Sequence, residues 1–201
     1  MTSLEIQGFN RADLGKKGSK EVRKSGNIPA VLYGGDEVVH FTVSPASVRH
    51  LIYTADFKIA NLDIEGKKFK AILKSMQQDP VTDEVIHIDF LRIIADTPIK
   101  VEIPLRFKGS SPGVKVGGKL IQQIRKIKIK TKPEFLVDEL KADISKLELG
   151  QALRIRDIIV PNGIEIMTNP STPIALIEIP RALKAAAAAA AKEVGKGGKK
   201  K

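Results

Sequence analysis

The chain has 201 residues, and its 34 Lys and Arg against 23 Asp and Glu give a formal net charge of +11. A balance this basic favours a polyanionic partner, and the absence of cysteine excludes disulfides and thiolate metal sites. Because no apolar run reaches the roughly 18 residues needed to cross a bilayer and the N-terminus has no signal-peptide pattern, we expect a cytoplasmic protein with no membrane partner.

The N-terminal half is predicted to consist mostly of strands. Residues 4–9 alternate apolar and polar side chains, as a half-buried strand does. A short helix is predicted after Ser44, a capping residue followed by Pro45, and a second at 19–24. Many short strands with few parallel-crossover signals predict an N-terminal antiparallel β-barrel over residues 1–95. Its other strands are expected at 28–33, 38–43, 57–64, 69–73 and 85–91.

A second β-rich domain is predicted over residues 96–180, because the strand pattern breaks at Asp96-Thr97-Pro98 and then resumes. After Pro180 the composition changes to alanine, lysine and glycine. Residues 181–201 hold seven cations against one acid and lack an apolar packing face. We therefore expect a flexible basic Ala/Lys-rich tail. The predicted fold class is mainly β with a few short helices.

The most basic part of the N-terminal half is the glycine-punctuated segment 11–24, with six Lys or Arg against two acids. It lacks the spacing of a phosphate-binding loop, which argues against nucleotide hydrolysis. One hypothesis is contact with a nucleic-acid backbone through Lys16, Lys20 and Arg23. The other is a solvated loop and helix face.

His87 and Asp89 lie on the same face of a predicted strand, because alternate residues of a strand point the same way. Such a pair occurs in metal and acid–base sites, but the sequence shows no carboxylate cluster or activated nucleophile beside it. The alternatives are a structural hydrogen bond and a polar contact to an RNA base edge or 2′-hydroxyl. Gln77 is a candidate for the same polar face. No cofactor, metal site or small-molecule substrate is predicted.

A second candidate surface is the strand around residues 125–132, which alternates lysine with isoleucine. Its apolar face carries Ile127 and Ile129. Two interpretations stay open: an RNA-facing stripe, or charge that protects a sheet edge from self-association. The opposite face carries Lys126, Lys128, Lys130 and Lys132.

The N-terminal half contains a series of short sequence motifs. In chain order they are Arg11, Gly15-Lys16-Lys17-Gly18-Ser19-Lys20-Glu21-Val22-Arg23, Ile28-Pro29-Ala30-Val31-Leu32-Tyr33-Gly34-Gly35, Gln77 with Asp79-Pro80, and His87-Ile88-Asp89-Phe90. In this order and spacing the chain resembles the bacterial large-subunit ribosomal protein twenty-five family, which binds 5S rRNA, in its long two-domain general stress protein Ctc form. The resemblance is clearest over residues 4–91 and extends more loosely to about residue 180.

The resemblance implies a six-stranded barrel in the minor groove of an irregular 5S rRNA loop, with a helical segment near a neighbouring groove. It implies a structural constituent of the large ribosomal subunit, with neighbouring ribosomal proteins as further partners, and not an enzyme. The alternatives are an RNA-acting enzyme that uses His87 and Asp89, and a stress-linked RNA-binding factor only transiently on the ribosome. The residues implied to face RNA are Arg11, Lys16, Ser19, Lys20, Arg23, Tyr33, Gln77, His87 and Asp89.

Overall fold

The computed structural model describes residues 2–35 and 37–181. Contacts between residues divide the chain into two units, the first made of Met1–Pro104, Lys128–Glu139 and Asn162–Glu165. The second comprises Leu105–Ile127, Leu140–Pro161 and the residues from Ile166 onward. The sequence-based boundary between residues 95 and 96 stays a prediction. Apart from Arg181, the predicted tail lies outside the described residues.

Six strands of the N-terminal region form a closed barrel in the order β1-β3-β2-β6-β5-β4, with β1 next to β4. The predicted class, mainly β with a few short helices and an N-terminal barrel, is therefore confirmed. The strands are β1 (Ser3–Asn10), β2 (Ile28–Tyr33), β3 (Val39–Val43), β4 (Ile59–Ile64), β5 (Lys67–Gln78) and β6 (Val85–Arg92).

Four of the six pairings around the barrel are antiparallel, as predicted, but β1–β4 and β2–β6 are parallel. Parallel neighbours need a long connection, and residues 11–58 and 34–84 supply it. The barrel is therefore mixed, and the predicted antiparallel pairing is corrected at β1–β4 and β2–β6. Local strand patterns do not show which distant strands close the ring.

Alternate side chains of the strands fill the barrel. Ile6, Phe41 and Phe90 are fully buried, and the two aromatic rings lie 5.9 Å apart between centroids with a tilt of 35°. This spacing is typical of a favourable aromatic pair. Gly8 leaves room for the pair, because a Cβ added there would lie 2.6 Å from Cδ2 of Phe41.

Helix α1 (Gly15–Lys24) begins earlier than the sequence predicts, and Gly26 follows two residues after its end. Gly26 has a φ of +78°, in the left-handed region that glycine adopts without strain. Its N–H and that of Asn27 donate to the carbonyls of Arg23 and Val22, each at 3.1 Å. These bonds satisfy last-turn carbonyls and end the helix where β2 begins.

Helix α2 (Pro45–Ile52) starts where the sequence predicts it. Ser44 occupies the N-cap position, but its side chain makes no capping hydrogen bond. Instead its carbonyl accepts bonds from the N–H and hydroxyl of Ser47 at 3.2 and 2.8 Å. Val48 and Leu51 are buried in the barrel core, so the amphipathic helix completes that core.

Between residues 99 and 178 the chain forms two further sheets, with strand orders β10-β7-β9-β12 and β11-β13-β8. The predicted second β-rich region is confirmed as such. Its elements are β7 (Ile99–Lys108), α3 (Pro112–Lys115), β8 (Lys119–Gln122), β9 (Lys126–Thr131), β10 (Leu140–Asp143), β11 (Ala152–Arg154), β12 (Ile164–Ile166) and β13 (Pro173–Glu178), with 3₁₀ turns at Pro133–Phe135 and Ile155–Asp157.

We predict that Gly8→Ala lowers the free energy of unfolding of the barrel by about 1–3 kcal/mol, the usual cost of overpacking a core. Denaturant unfolding followed by circular dichroism measures this loss. Phe41→Leu removes the ring that the new methyl group would meet, so the double variant should lose less than the sum of the two single variants. Additive losses would show that the Gly8–Phe41 contact does not limit the packing.

Candidate nucleic-acid interface

The outer face of β2, β6 and β5 brings together four of the predicted RNA-facing side chains. On β2 and β6, Tyr33, His87 and Asp89 alternate with residues that are buried in the barrel. On β5, Gln77 lies directly across from His87. These four residues and Ser75, which lies across from Asp89, are called here the polar strand face.

The polar strand face depends on a β-bulge in β5. The register shifts between Leu73 and Ser75, so that Leu73 lies across from Phe90 and Ser75 lies across from Asp89. Without the extra residue, Ser75 would lie across from Ile88, and its side chain would point into the barrel. The bulge therefore places the side chains of Ser75 and Gln77 on the same face of the sheet as those of Asp89 and His87.

A chain of close polar contacts connects three side chains of this face. Nδ1 of His87 lies 2.9 Å from Oδ1 of Asp89, and the hydroxyl of Ser75 donates to the other carboxylate oxygen, Oδ2. The His87 and Asp89 side chains are 26% and 27% exposed, so both are partly buried and still accessible to a binding partner. The pair thus makes a structural contact, which is one of the alternatives that the sequence leaves open, and contact with an RNA base edge or 2′-hydroxyl stays a prediction.

Tyr33 lies close enough to Asp89 to sense its charge. Burial, and after it the negative charge of Asp89, raises the pKa of the Tyr33 hydroxyl above its ordinary value. The hydroxyl is therefore held in its neutral form, which can donate as well as accept a hydrogen bond.

The glycine pair after Tyr33 has a packing role. Gly34 has a φ of +94°, and a Cβ there would lie 2.6 Å from Cδ1 of Leu91. A Cβ at Gly35 would lie 2.9 Å from Nη1 of Arg92. The two glycines let the chain leave β2 close against the end of β6, directly after Tyr33 of the polar strand face.

Helix α1 carries the predicted cations on one exposed face. Lys16, Lys20 and Arg23 are spaced by four and three residues, which places them along one side of a helix. Gly18 faces the opposite way and is buried, because its Cα lies against the loop before the helix; a Cβ would be 2.5 Å from the carbonyl oxygen of Asp13. The basic side of α1 therefore points away from the protein.

Arg11 connects the end of β1 to α1. Its Nη1 donates to the hydroxyl of Ser19 at 3.1 Å, and its backbone N–H donates to the carbonyl of His40 at 3.0 Å. Burial, and after it the charge of Arg23, lowers the pKa of the Arg11 guanidinium. Arg11 and Ser19 thus contact each other, and Arg11 adds its charge to the basic side of α1. Their contact with RNA stays a prediction.

The lysine-rich strand is β9, and its alternation is confirmed. Ile127 and Ile129 are buried, and the lysines lie on the other face. Because β9 lies between β7 and β12, the hypothesis of charge that protects a sheet edge is wrong. Three of the lysines face acids: Lys128 and Glu102 are 3.6 Å apart, Lys130 and Glu165 3.6 Å, and Lys132 and Asp96 3.5 Å.

These three ion pairs reduce the positive charge of the stripe. Each acid comes from a segment distant in sequence, so the pattern of β9 alone could not reveal them. Exposed pairs of this kind contribute little to stability, but they lower the attraction of the strand for phosphates. The RNA hypothesis for residues 126–132 remains a prediction, with less charge to support it than the sequence indicates.

Sequence reasoning missed Ser75 and His40. Ser75 is one of several exposed polar residues in a long strand, and only the bulge places it against Asp89. No motif in the sequence singles out His40. The structure places its carbonyl against Arg11 and leaves its buried Nδ1 without a hydrogen-bond partner. No local pattern signals either contact.

Across residues 2–35 and 37–181, no group of three or more His, Asp or Glu side chains is placed to hold a metal ion. Of the helices in that part of the chain, none is both long enough and apolar enough to span a membrane.

Comparison with known proteins gives a consistent result. The Ribosomal L25p family matches residues 6–90, and the family described as Ribosomal protein TL5, C-terminal domain, matches residues 98–181. Large ribosomal subunit protein bL25 of Cytophaga hutchinsonii is 42% identical over 193 residues, which cover 96% of this chain and 100% of that protein. The bL25 protein of Amoebophilus asiaticus is 40% identical over 200 residues and covers 100% of both chains.

These matches define a two-domain ribosomal protein with an L25p region followed by a TL5-type region. The chain belongs to the bL25 family of the large ribosomal subunit. The resemblance drawn from the sequence motifs is thereby confirmed. Because this is a family of structural ribosomal proteins, the chain is not an enzyme, and the alternative with His87 and Asp89 as a catalytic pair is wrong.

The turn between β5 and β6 holds Gln77 near His87, and its hydrogen bonds to the Asp79 carboxylate depend on pH. Oδ1 of Asp79 accepts bonds from the N–H groups of Val81 and Thr82 at 2.8 and 3.2 Å, and these bonds lower the pKa of Asp79 below its ordinary value of 3.8. The folded pKa is the lower one, so the stabilisation is complete above pH 3.8 and is lost as the pH falls through the lowered value.

We therefore expect the Val81 amide signal to titrate in NMR spectra with a midpoint below 3.8. Asp79→Asn keeps an oxygen acceptor but cannot titrate, so it should abolish the transition and keep the turn. A midpoint at or above the ordinary value in the unmodified protein would contradict the assignment.

Proposed function

We propose that this protein is a constituent of the large ribosomal subunit that binds 5S rRNA through the polar strand face and the basic side of α1. Membership in the bL25 family supports the ribosomal role, and the motif resemblance supports 5S rRNA as the partner. The observation that carries the proposal is the clustering of Tyr33, Gln77, His87 and Asp89 on one face of the barrel.

The chemistry of this face suits an RNA minor groove. An A-form minor groove is wide and shallow and exposes 2′-hydroxyls and base edges, which bind short polar side chains on a rigid surface. The side chains of His87, Gln77 and Tyr33 can each donate or accept hydrogen bonds there. A strand face of this kind confers specificity through base edges and sugars.

Helix α1 supplies a different interaction. Lys16, Lys20 and Arg23 are exposed cations, and exposed cations of this kind neutralise phosphates. Arg11 is anchored by Ser19 and adds charge at the junction of the helix and β1. We assign these residues to affinity and orientation, and the polar strand face to specificity.

The proposal assigns RNA recognition to residues 1–95, because every motif residue precedes Phe90 and all six barrel strands lie between Ser3 and Arg92. We propose residues 96–180 as a second domain, and neighbouring ribosomal proteins as further partners of the chain. The protein acts in the cytoplasm as part of the ribosome.

We predict that His87→Ala and Asp89→Ala each weaken binding to 5S rRNA by about 1–3 kcal/mol and hardly change binding to a scrambled RNA, because both lose a polar contact in the groove. Lys16→Ala and Arg23→Ala should weaken binding to both RNAs and reduce the salt slope by about 1 each, because they lose a phosphate contact. Titrations at several salt concentrations measure both effects.

Two variants serve as matched controls. His50→Ala removes an exposed histidine of α2, and Lys17→Ala removes a cation of α1 outside the Lys16–Lys20–Arg23 side. The affinity of His50→Ala for 5S rRNA should be closer to that of the unmodified protein than the affinity of His87→Ala is. The same should hold for Lys17→Ala in comparison with Lys16→Ala. Equal losses on both RNAs for His87→Ala and Asp89→Ala would remove the polar strand face from recognition.

We also predict that a fragment of residues 1–95 folds and retains most of the specific affinity, since the closed barrel and α1 are complete within it. Circular dichroism establishes the fold, and competition between 5S rRNA and scrambled RNA measures the specificity. A folded fragment without preference for 5S rRNA would place the determinants in residues 96–201 instead.

A further inference from the structure

Asp89 is held by two neighbours, one on each carboxylate oxygen. His87 contacts Oδ1 through Nδ1 at 2.9 Å, and the Ser75 hydroxyl donates to Oδ2. The two contacts come from different strands, since Ser75 lies on β5 directly across from Asp89 on β6. The carboxylate therefore has a fixed orientation relative to the imidazole.

This orientation determines which imidazole nitrogen carries the hydrogen. A neutral imidazole has one N–H donor and one acceptor nitrogen, and an ionised carboxylate only accepts. Nδ1 must therefore be the donor in its contact with Asp89, and Nε2 keeps its lone pair. A free histidine side chain in water favours the opposite tautomer, so the contact with Asp89 reverses the preference.

A lone pair at Nε2 selects its partner in an RNA minor groove. Paired A and U present only acceptors on that edge, whereas guanine adds the 2-amino group as a donor. Each ribose adds a 2′-hydroxyl, which is also a donor. An acceptor nitrogen at the 26% exposed His87 side chain is thus suited to a donor of the groove.

We propose that Ser75 is a positioning residue: through Asp89 it fixes the Nδ1–H tautomer of His87, and Nε2 then accepts a hydrogen bond from a guanine 2-amino group or a ribose 2′-hydroxyl. The inference rests on the proposed binding of 5S rRNA for its second half only. The first half concerns the free protein. Without the Ser75 hydroxyl, the carboxylate of Asp89 is free to rotate away from the imidazole, and the tautomer preference weakens.

The first experiment is ¹⁵N NMR of the histidine side chains in the full chain, at a pH where His87 is neutral. In the unmodified protein, Nδ1 of His87 should carry the hydrogen and Nε2 should be bare. Ser75→Ala should shift the signals toward a mixture of tautomers, and Ser75→Thr, which keeps the hydroxyl, should restore them. Ser110→Ala is the control, because Ser110 is exposed and lies far away in sequence.

A hydrogen on Nε2 in the unmodified protein would overturn the inference, and so would an unchanged tautomer in a folded Ser75→Ala variant. A loss of stability alone would not alter the ratio of the two tautomers in the folded molecules. The measurement therefore separates a positioning role of Ser75 from a merely structural one.

The second experiment tests the partner of Nε2 with modified 5S rRNA. Inosine in place of guanosine removes the 2-amino group, and single 2′-deoxy substitutions remove one hydroxyl. At the position that contacts Nε2, one of these changes should weaken binding of the unmodified protein by about tenfold, which is 1.4 kcal/mol, and should cause no further loss with His87→Ala.

Coupling to inosine identifies the amino group, and coupling to a deoxy position identifies the hydroxyl. If the protein binds 5S rRNA but no substitution couples to His87, the acceptor role of Nε2 is wrong. If the protein does not bind 5S rRNA at all, the proposed function is wrong, and the tautomer measurement still decides the role of Ser75.

Discussion

The closed pairing of six strands is the constraint on which the rest of the barrel depends. Once β1 pairs with β4, the ring has no free edge, and every strand position points either into the core or out to solvent. The inward positions are tightly packed, because the ring of Phe41 occupies space that a side chain at position 8 would fill. A shift of one residue in any strand would bring polar side chains into this core, so the packing inside fixes the pattern outside.

The polar strand face is a consequence of that packing. Its side chains come from the consecutive strands β5 and β6 and from the distant strand β2, and the parallel neighbour pair β2–β6 brings Tyr33 beside Asp89. The bulge in β5 adds Ser75 to the same surface. Rigid strands hold these groups in fixed positions, which is what recognition of base edges and sugar hydroxyls requires. The basic side of α1 can be less ordered, because a phosphate contact tolerates variable geometry.

The two charged regions of the chain behave differently although their sequences look alike. On α1, the cations face outward and away from the buried Gly18, so their charge is available to a polyanion. On β9, three lysines meet Glu102, Glu165 and Asp96. Charge counted along the sequence therefore overstates the attraction of β9 for RNA, because acids of neighbouring segments offset it. Ion pairs with acids distant in sequence decide which basic segment keeps its positive electrostatic potential.

By itself, the sequence determined the β-rich class, the order of the motifs and the placement of His87 and Asp89 on one face, because these follow from composition and from the two-residue period of a strand. It did not determine that Lys16 shares one side of a helix with Lys20 and Arg23, because the predicted helix covered only residues 19–24, whereas α1 begins at Gly15. Only the tertiary structure decided that β2 and β6 are parallel neighbours, that Ser75 lies across from Asp89, and that Arg11 contacts Ser19. These contacts depend on strand pairing and register, which the packing of the whole core selects and no local pattern contains.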